Sequence, residues 1–520
     1  MNPQILFLLN KSIQSLRSSN LESAELYLKQ ALKLQASNPD VLRLLGVIAT
    51  QRRQYSQALK YFNSALKAFP KHALALSNLG SVFLEMKEYS KALDAYDQSL
   101  KIDPKDEETW SNKGITLNAL KRYDEALSHY DHALSLQPKD AKTYCNKSIT
   151  LHELERYEEA MANYDKALSL RPNDAKAHSN KGVTLHELQR FEEAIAHHDK
   201  ALSVMPTYHE ASWNKSLSLL LQGDFKQGLP LYEHRWDAQK VSEMAGKRVF
   251  HKPTWLGTEA LQGKTILLYG EQGLGDFIQF CRYVQLVAHL GATVILETPA
   301  SLAGLLEGLA GVSQLVIRGQ ELPHFDYQCP LLSLPLAFNT SISTIPANYP
   351  YLAADESTVT KWQLKLGEKR KKRIGLVWSS MSSFKSDSKR SLMLADFVKA
   401  LPVDGFEYVC LQKELKASDQ EFFAAYRHIR FFGDELEDFT DTAALIDNLD
   451  LVISTCTSVP HLSGALGKET WVLLSYVPDW RWLLDREDSP WYPSIKLYRQ
   501  PSIGDWNSVL QRVKSDLSNR

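Results

Sequence analysis

A step of 34 residues runs through the first half of the chain. Gly46, Gly80 and Gly114 stand 34 apart, and Ser148, Gly182 and Ser216 continue the series. Pro70, Pro104, Pro138, Pro172 and Pro206 form a second series, and Ala58, Ala92, Ala126, Ala160 and Ala194 a third. A fixed period of this length marks stacked units, each too small to bury its apolar face alone and dependent on its neighbours for a core. Each series has its own physical reason. Glycine or serine on the first helix of a unit, and alanine on the second, admit close approach of the two helices. The proline ends the second helix because it has no N–H to donate. Tyr55, Tyr89, Tyr123, Tyr157 and Phe191 are placed to fill the space between the helices. An earlier unit carries Ala24, Leu28 and Ala31 with Pro39 three residues late, and reads as a cap. The last unit, from Trp213, has Gly228 where alanine is due and runs into "LYEHRW", so the repeats should give way near residue 240.

Agreement of several positions in phase over so many units resembles the tetratricopeptide repeat. That resemblance implies an all-α superhelix over residues 1–240, with a concave face that binds protein. One more series bears on that face: Asn78, Asn112, Asn146, Asn180 and Asn214, one carboxamide per first helix. A primary amide both donates and accepts, which suits the backbone of an extended peptide whatever its side chains. The row is similar to the asparagine ladder of the O-GlcNAc transferase superhelix, which implies an acceptor polypeptide as partner. The other reading is that these asparagines cap or solvate their helices. The adjoining Lys113, Lys147, Lys181 and Lys215 read as a solvated or snorkelling row.

Composition narrows the function classes. Hydrophobic residues at 44% and charged residues at 23% describe an ordinary folded protein and not a disordered one. Lys+Arg 60 against Asp+Glu 61 leaves a net charge of -1, without the positive field that non-specific nucleic-acid binding needs. The five cysteines are scattered and contain no C-x-x-C pair, so neither a metal site nor a disulfide framework is indicated. The apolar run from Ile5 to Leu9 is far shorter than the roughly 18 residues of a membrane span, and a cytoplasmic protein is expected.

From Gly263 helical periodicity yields to short apolar runs separated by helical stretches, the pattern of βαβ units. Strands are expected in "KTILLYG", "ATVILETP", 314–317, 326–331, "KKRIGLVWSS", "FEYVCLQKE", "LDLVISTC" and "ETWVLLS", and a closing helix over Trp506–Leu517. A Pro-punctuated linker divides two Rossmann-like halves, 262–350 and 372–520. Two such halves resemble the GT-B glycosyltransferases, which places an active site in the cleft between them.

The junction "GEQGLGDFIQF" has Gly273 and Gly275 for a tight turn and Asp276 opening a helix. Neither G-x-G-x-x-G nor G-K-[ST] is complete there, so neither a dinucleotide cofactor nor a Walker phosphate loop is supported. The segment resembles the G-x-G-D junction of glycosyltransferase family 9, the heptosyltransferase-like enzymes. That resemblance implies Asp276 as the base that deprotonates the acceptor hydroxyl; a plain N-cap is the alternative. "DLVISTCTSVPHLSGALG" is similar to the family segment in which T-S-x-x-H starts a helix, implying that Thr457, Ser458 and His461 hold the donor diphosphate without metal. Cys456 stands where the family has aspartate, and Pro460 replaces a small residue. Lys385 and Lys389, in a basic loop, and Gln412 and Lys413, at a strand end, are further donor-binding candidates. Asp441 and Thr442 are candidates for the ribose, with helix capping as the other reading. The aromatic run "YVPDWRWLLDREDSPWYPS" resembles the tail of repeat proteins that carry this transferase domain, and structural packing is expected of it, with Asp479 or Arg481 at the cleft as the remote alternative.

The function expected is therefore metal-independent transfer of a sugar, from a nucleotide-sugar substrate and with no further cofactor, to a hydroxyl of a polypeptide held by the repeats. A saccharide or lipid-linked acceptor, and a non-catalytic repeat scaffold with a decayed transferase domain, are the alternatives.

Overall fold

The computed structural model describes residues 2–238, 248–346, 349–380, 387–426 and 428–520, which fall into two compact units dividing after Thr184. The first unit is wholly helical. Pro39–Gln51 pairs with Tyr55–Ala68, Ala73–Glu85 with Tyr89–Ile102, Glu107–Ala119 with Tyr123–Leu136, and Ala141–Glu153 with Tyr157–Leu170, after a leading pair Pro3–Arg17 and Leu21–Leu34. These are tetratricopeptide repeats. Asp106, Asp140 and Asp174 cap successive first helices, accepting from Thr109, Thr143 and Ala177 amides. The turn inside each pair places Arg53, Lys87, Lys121 and Glu155 at φ of 58–62°, again 34 residues apart.

The repeat glycines have the role their spacing predicts, but their partner differs from the one expected. A β-carbon at Gly46, Gly80 or Gly114 would stand 2.6 Å from the ring of Phe62, Tyr96 or Tyr130. That series, continued by Tyr164, is fully buried and fills the space between the helices. Of the series expected there, Tyr55, Tyr89 and Tyr123 sit at helix starts and are only half-buried, whereas Tyr157 and Phe191 are buried. The lysine row is also tied down: Lys113, Lys147 and Lys181 pair with Asp97, Asp131 and Asp165 at 2.5–2.6 Å. Asn118 donates to Thr150, and His152 Nδ1 lies 3.0 Å from Thr184 Oγ1, so one polar link per step joins successive first helices.

The second unit begins inside the repeats. Helices Phe191–Val204, His209–Leu221 and Phe225–Tyr232 are followed by a 3-10 turn, Glu233–Trp236. Phe191, Leu220, Phe225 and Tyr232 share one core with Phe277, Phe280, Trp480 and Trp491 of the α/β part. The packing unit thus starts at Leu185, inside the helical region, and takes in these last helix pairs. The last apolar repeat face needs a cover, and the α/β part supplies it.

Two parallel sheets follow. The first holds β1 (Thr265–Tyr269), β2 (Thr293–Thr298), β3 (Gln314–Ile317) and β4 (Tyr327–Pro330) in the order β3-β2-β1-β4. The second holds β5 (Lys372–Val377), β6 (Phe406–Cys410), β7 (Ile429–Phe431), β8 (Leu451–Thr455), β9 (Thr470–Leu474) and β10 (Ile495–Arg499) in the order β10-β9-β8-β5-β6-β7. β1, β8 and β9 are apolar and buried along nearly their whole length, as strands covered on both faces must be. The second order is that of a doubly wound sheet, with strand order reversing between β5 and β8; in the first sheet it reverses between β1 and β4. No described helix is long and apolar enough to cross a membrane.

Candidate functional site

In open parallel sheets ligands bind beyond the carboxyl ends of the strands, where strand order reverses. At those points stand the loop after β1, Gly270–Gly273, with the helix it opens, and the loop after β8, Cys456–Thr457. Within the second unit the two loops meet. A β-carbon on Gly275 would lie 2.9 Å from His461 Cδ2 and 3.2 Å from Ser458 Cα, so only glycine lets the helices Leu274–Phe280 and Ser458–Ala465 approach this closely.

Asp276 faces this junction. Its Oδ2 accepts from the Gly273 amide at 3.1 Å, and its Oδ1 forms an ion pair with Arg481 at 2.6 Å. Arg481 is also bidentate to Asp479, at 2.7 and 2.9 Å. Burial raises the Asp276 carboxyl above the usual aspartate value; Arg481 works against this, and Asp479 adds to it. Asp479 also bears the cost of burial, but Arg481 and its amide leave it below the usual range. A single buried guanidinium thus joins two carboxylates that their surroundings shift in opposite directions.

The opposite wall is built from β8 and its helix. Thr457 caps that helix by accepting from the Val459 amide. His461 is stacked on Trp482 with centroids 5.0 Å apart, its Nδ1 is 3.1 Å from the Tyr492 hydroxyl, and burial lowers it to about 3. It is a neutral imidazole at neutral pH. Cys456 accepts from the Trp482 indole N–H at 3.2 Å, and burial pushes its thiol up to about 11. The side chain at this point is therefore a neutral thiol at neutral pH. Arg390 sends its charge into the same space, lowering both Asp276 and Cys456.

The other candidates occupy different places. Gln412 fastens strand ends: its Oε1 accepts from the Trp378 and Ser379 amides and its Nε2 donates to Ser379 Oγ and the Glu414 carbonyl. Lys413 donates to the Glu437 carbonyl beside a cavity lined by Phe423 and Phe431. Lys389 pairs with Glu187 at 2.7 Å. Lys385 lies outside the described residues. Asp441 accepts from the Trp362 indole and the Glu437 amide, and Thr442 donates to the Asp438 carbonyl, so both serve as local fastenings. Asn78, Asn112, Asn146 and Asn180 are half-buried at equivalent first-helix positions of the first unit, and Asn214 is half-buried in the second.

Two contributors were not among the sequence-predicted site residues. Arg481 and Asp479 lie in an aromatic run of which packing is expected, with a place at the cleft for either only the remote alternative. "LYEHRW", read as the end of the repeats, pins the loop after β1: Arg235 pairs with Glu271 at 3.0 Å and Glu233 at 2.6 Å, and Tyr232 meets Gln272. Burial, offset by Arg235, leaves Glu271 at about 7.

Tetratricopeptide repeat models match residues 15–63, 49–107, 106–173 and 163–196. Protein FlbA of Caulobacter vibrioides is 27% identical over 334 residues, covering 58% of this chain and 53% of that protein, so the chain spans about half the length of this curated relative. Among solved structures, Cut9–Hcn1 of the APC/C hetero-tetramer is 19% identical with a TM-score of 0.40 over 42% of this chain and 44% of that one. A tetratricopeptide repeat protein from Parabacteroides merdae is 21% identical with a TM-score of 0.38, over 46% and 96% of the two chains.

Proposed function

We propose that the second unit is a metal-independent glycosyltransferase, and that the repeats present a polypeptide hydroxyl to it. The observation that carries this reading is the meeting of two strand-order reversal points, with Asp276, Arg481 and the start of the Ser458–Ala465 helix at one junction. In the reaction, Asp276 takes the proton of the acceptor hydroxyl. The oxygen bonds to the anomeric carbon, and the bond from that carbon to the nucleoside diphosphate breaks. The leaving diphosphate gains charge beside the helix start and the Arg390 guanidinium. Burial raises the Asp276 carboxyl, which makes it the stronger base. Arg481 keeps both bonds to Asp479 when Asp276 turns to the acceptor, so releasing the base does not strand a buried cation. The half-buried asparagines at each repeat are the proposed peptide contacts.

A scaffold without catalysis is favoured by a different observation. Asp276 and Cys456 are both engaged internally, by Arg481 and by Trp482, and Cys456 cannot supply the family carboxylate.

Thermal denaturation of the full chain with UDP, GDP, ADP, CMP and dTDP and their sugar conjugates separates these readings. Ligand at about 100-fold over its dissociation constant adds about 2.7 kcal/mol of stability. A shift with one nucleotide supports the transferase and names its donor class. No shift with any, on folded protein, rejects the transferase in favour of the scaffold. With a donor in hand, Asn112, Asn146 and Asn180→Ala together should abolish transfer to polypeptide while donor binding persists. Unchanged transfer would instead point to a saccharide or lipid-linked acceptor.

A further inference from the structure

Away from the junction of the sheets, two imidazoles meet where the repeats close. His209 is the first residue of the helix His209–Leu221, and His234 lies in the 3-10 turn Glu233–Trp236. Their Nδ1 atoms are 3.0 Å apart, with ring centroids at 5.1 Å. Asp237, which caps the turn, brings a carboxylate oxygen to the same point, so the three donor atoms all lie within 4.8 Å of one another. We propose that His209, His234 and Asp237 bind a divalent transition-metal ion, with zinc the best match to the donor set.

The geometry is close to what such an ion requires. A tetrahedral zinc with Zn–N of about 2.0–2.1 Å sets its two nitrogens about 3.3 Å apart, so the imidazoles need to open by only a few tenths of an ångström. Asp237 is exposed, and its carboxylate oxygen already stands within 4.8 Å of both nitrogens. Two imidazole nitrogens and one carboxylate form a donor set for zinc, cobalt or nickel, whereas magnesium and calcium take oxygen. The remaining coordination positions face outward, where water supplies them.

The backbone carrying the ligands is held in place. Tyr232 and Arg235, on either side of His234, are buried, and Arg235 donates to the Tyr232 carbonyl while pairing with Glu233 and Glu271. His209 opens a helix whose Ala211 and Ser212 are buried. The ion would tie the start of that helix to the turn across 25 residues of chain. Arg235, whose partner Glu271 belongs to the loop leading to Asp276, stands next to His234. The site is thus a clasp beside the transferase-like junction, and His209, 25 residues before His234, is too distant in sequence for a spacing motif to show it.

The test uses the full chain, stripped with a chelator and then titrated with ZnCl2 by calorimetry and with CoCl2 by visible absorption. The expected result is one equivalent of zinc and the absorption of a low-coordinate cobalt site. His209→Gln and His234→Gln should each weaken zinc binding at least about tenfold and lose the cobalt bands, and Asp237→Asn should weaken binding less. Binding that is absent in the wild type, or unchanged in His234→Gln, overturns the proposal. If a variant fails to fold by circular dichroism, zinc protection of His209 and His234 from diethyl pyrocarbonate in the wild type decides instead, and lack of protection rejects the site.

Discussion

A β-carbon on Gly114 would meet the Tyr130 ring at 2.6 Å, closer than two carbons can stand, so a substitution there must move the ring or the helix. Ser148 holds the same place one repeat later, opposite the buried Tyr164, which shows that a repeat can be built around a small side chain at this position. Gly114→Ala should therefore cost about 1 kcal/mol, the low end of overpacking, as a lower midpoint in urea with an unchanged slope. The aromatic row Phe62, Tyr96, Tyr130, Tyr164 ends at His198, which is fully buried with neither ring nitrogen hydrogen-bonded. Burial lowers this imidazole to about 3. Between pH 3 and about 6.5 the unfolded chain takes up a proton that the native state refuses. Stability present above pH 6.5 is then lost as pH falls, by about 1.4 kcal/mol per unit for this one group. His198→Phe, which extends the aromatic row, should flatten that dependence in chemical denaturation across pH 4–7. An equal slope in variant and wild type would contradict this account.

Between elements, the buried contact of Arg235 with Glu271 and Glu233 joins the last repeat turn to the loop after β1. Removing the cation leaves carboxylates buried without a partner, so Arg235→Met should destabilise the second unit by about 3–5 kcal/mol. Replacing Arg235 and Glu271 together by apolar residues should restore much of that loss in the same unfolding measurement. The lysines of the repeats make the opposite case. Lys147 pairs with an Asp131 side chain that is more than half exposed, and Lys147→Met should change stability by less than about 1 kcal/mol. Eight of the ten strands among the described residues were legible as apolar runs. β7, with only three residues, and β10, which carries Lys496 and Arg499, were not, because edge strands need no continuous apolar run. The segment 276–291 reads as one helix, yet it breaks at Cys281–Tyr283, where Arg282 turns inward to the Trp491 carbonyl and the Tyr351 hydroxyl.

For the whole molecule, the proposed reaction makes a separable prediction. Asp276→Asn should retain the nucleotide-dependent thermal shift and lose transfer by at least about a hundredfold, the usual weight of a general base. Loss of both would mean that the pair with Arg481 builds the pocket and does not serve the chemistry. The 34-residue phase, the apolar runs and the glycine-bearing junction after the first strand are local patterns. Periodicity and turn chemistry write them directly into neighbouring residues, so the repeat architecture and the α/β character were readable along the chain. Convergence over long separations leaves no such trace. Arg481 reaches Asp276 across about two hundred residues, and Trp482 takes the Cys456 thiol from a stretch that looks like packing alone. The last repeats belong to the α/β core for the same reason. Which apolar face covers which is settled by the area the folded chain can bury, and short-range spacing carries no record of it.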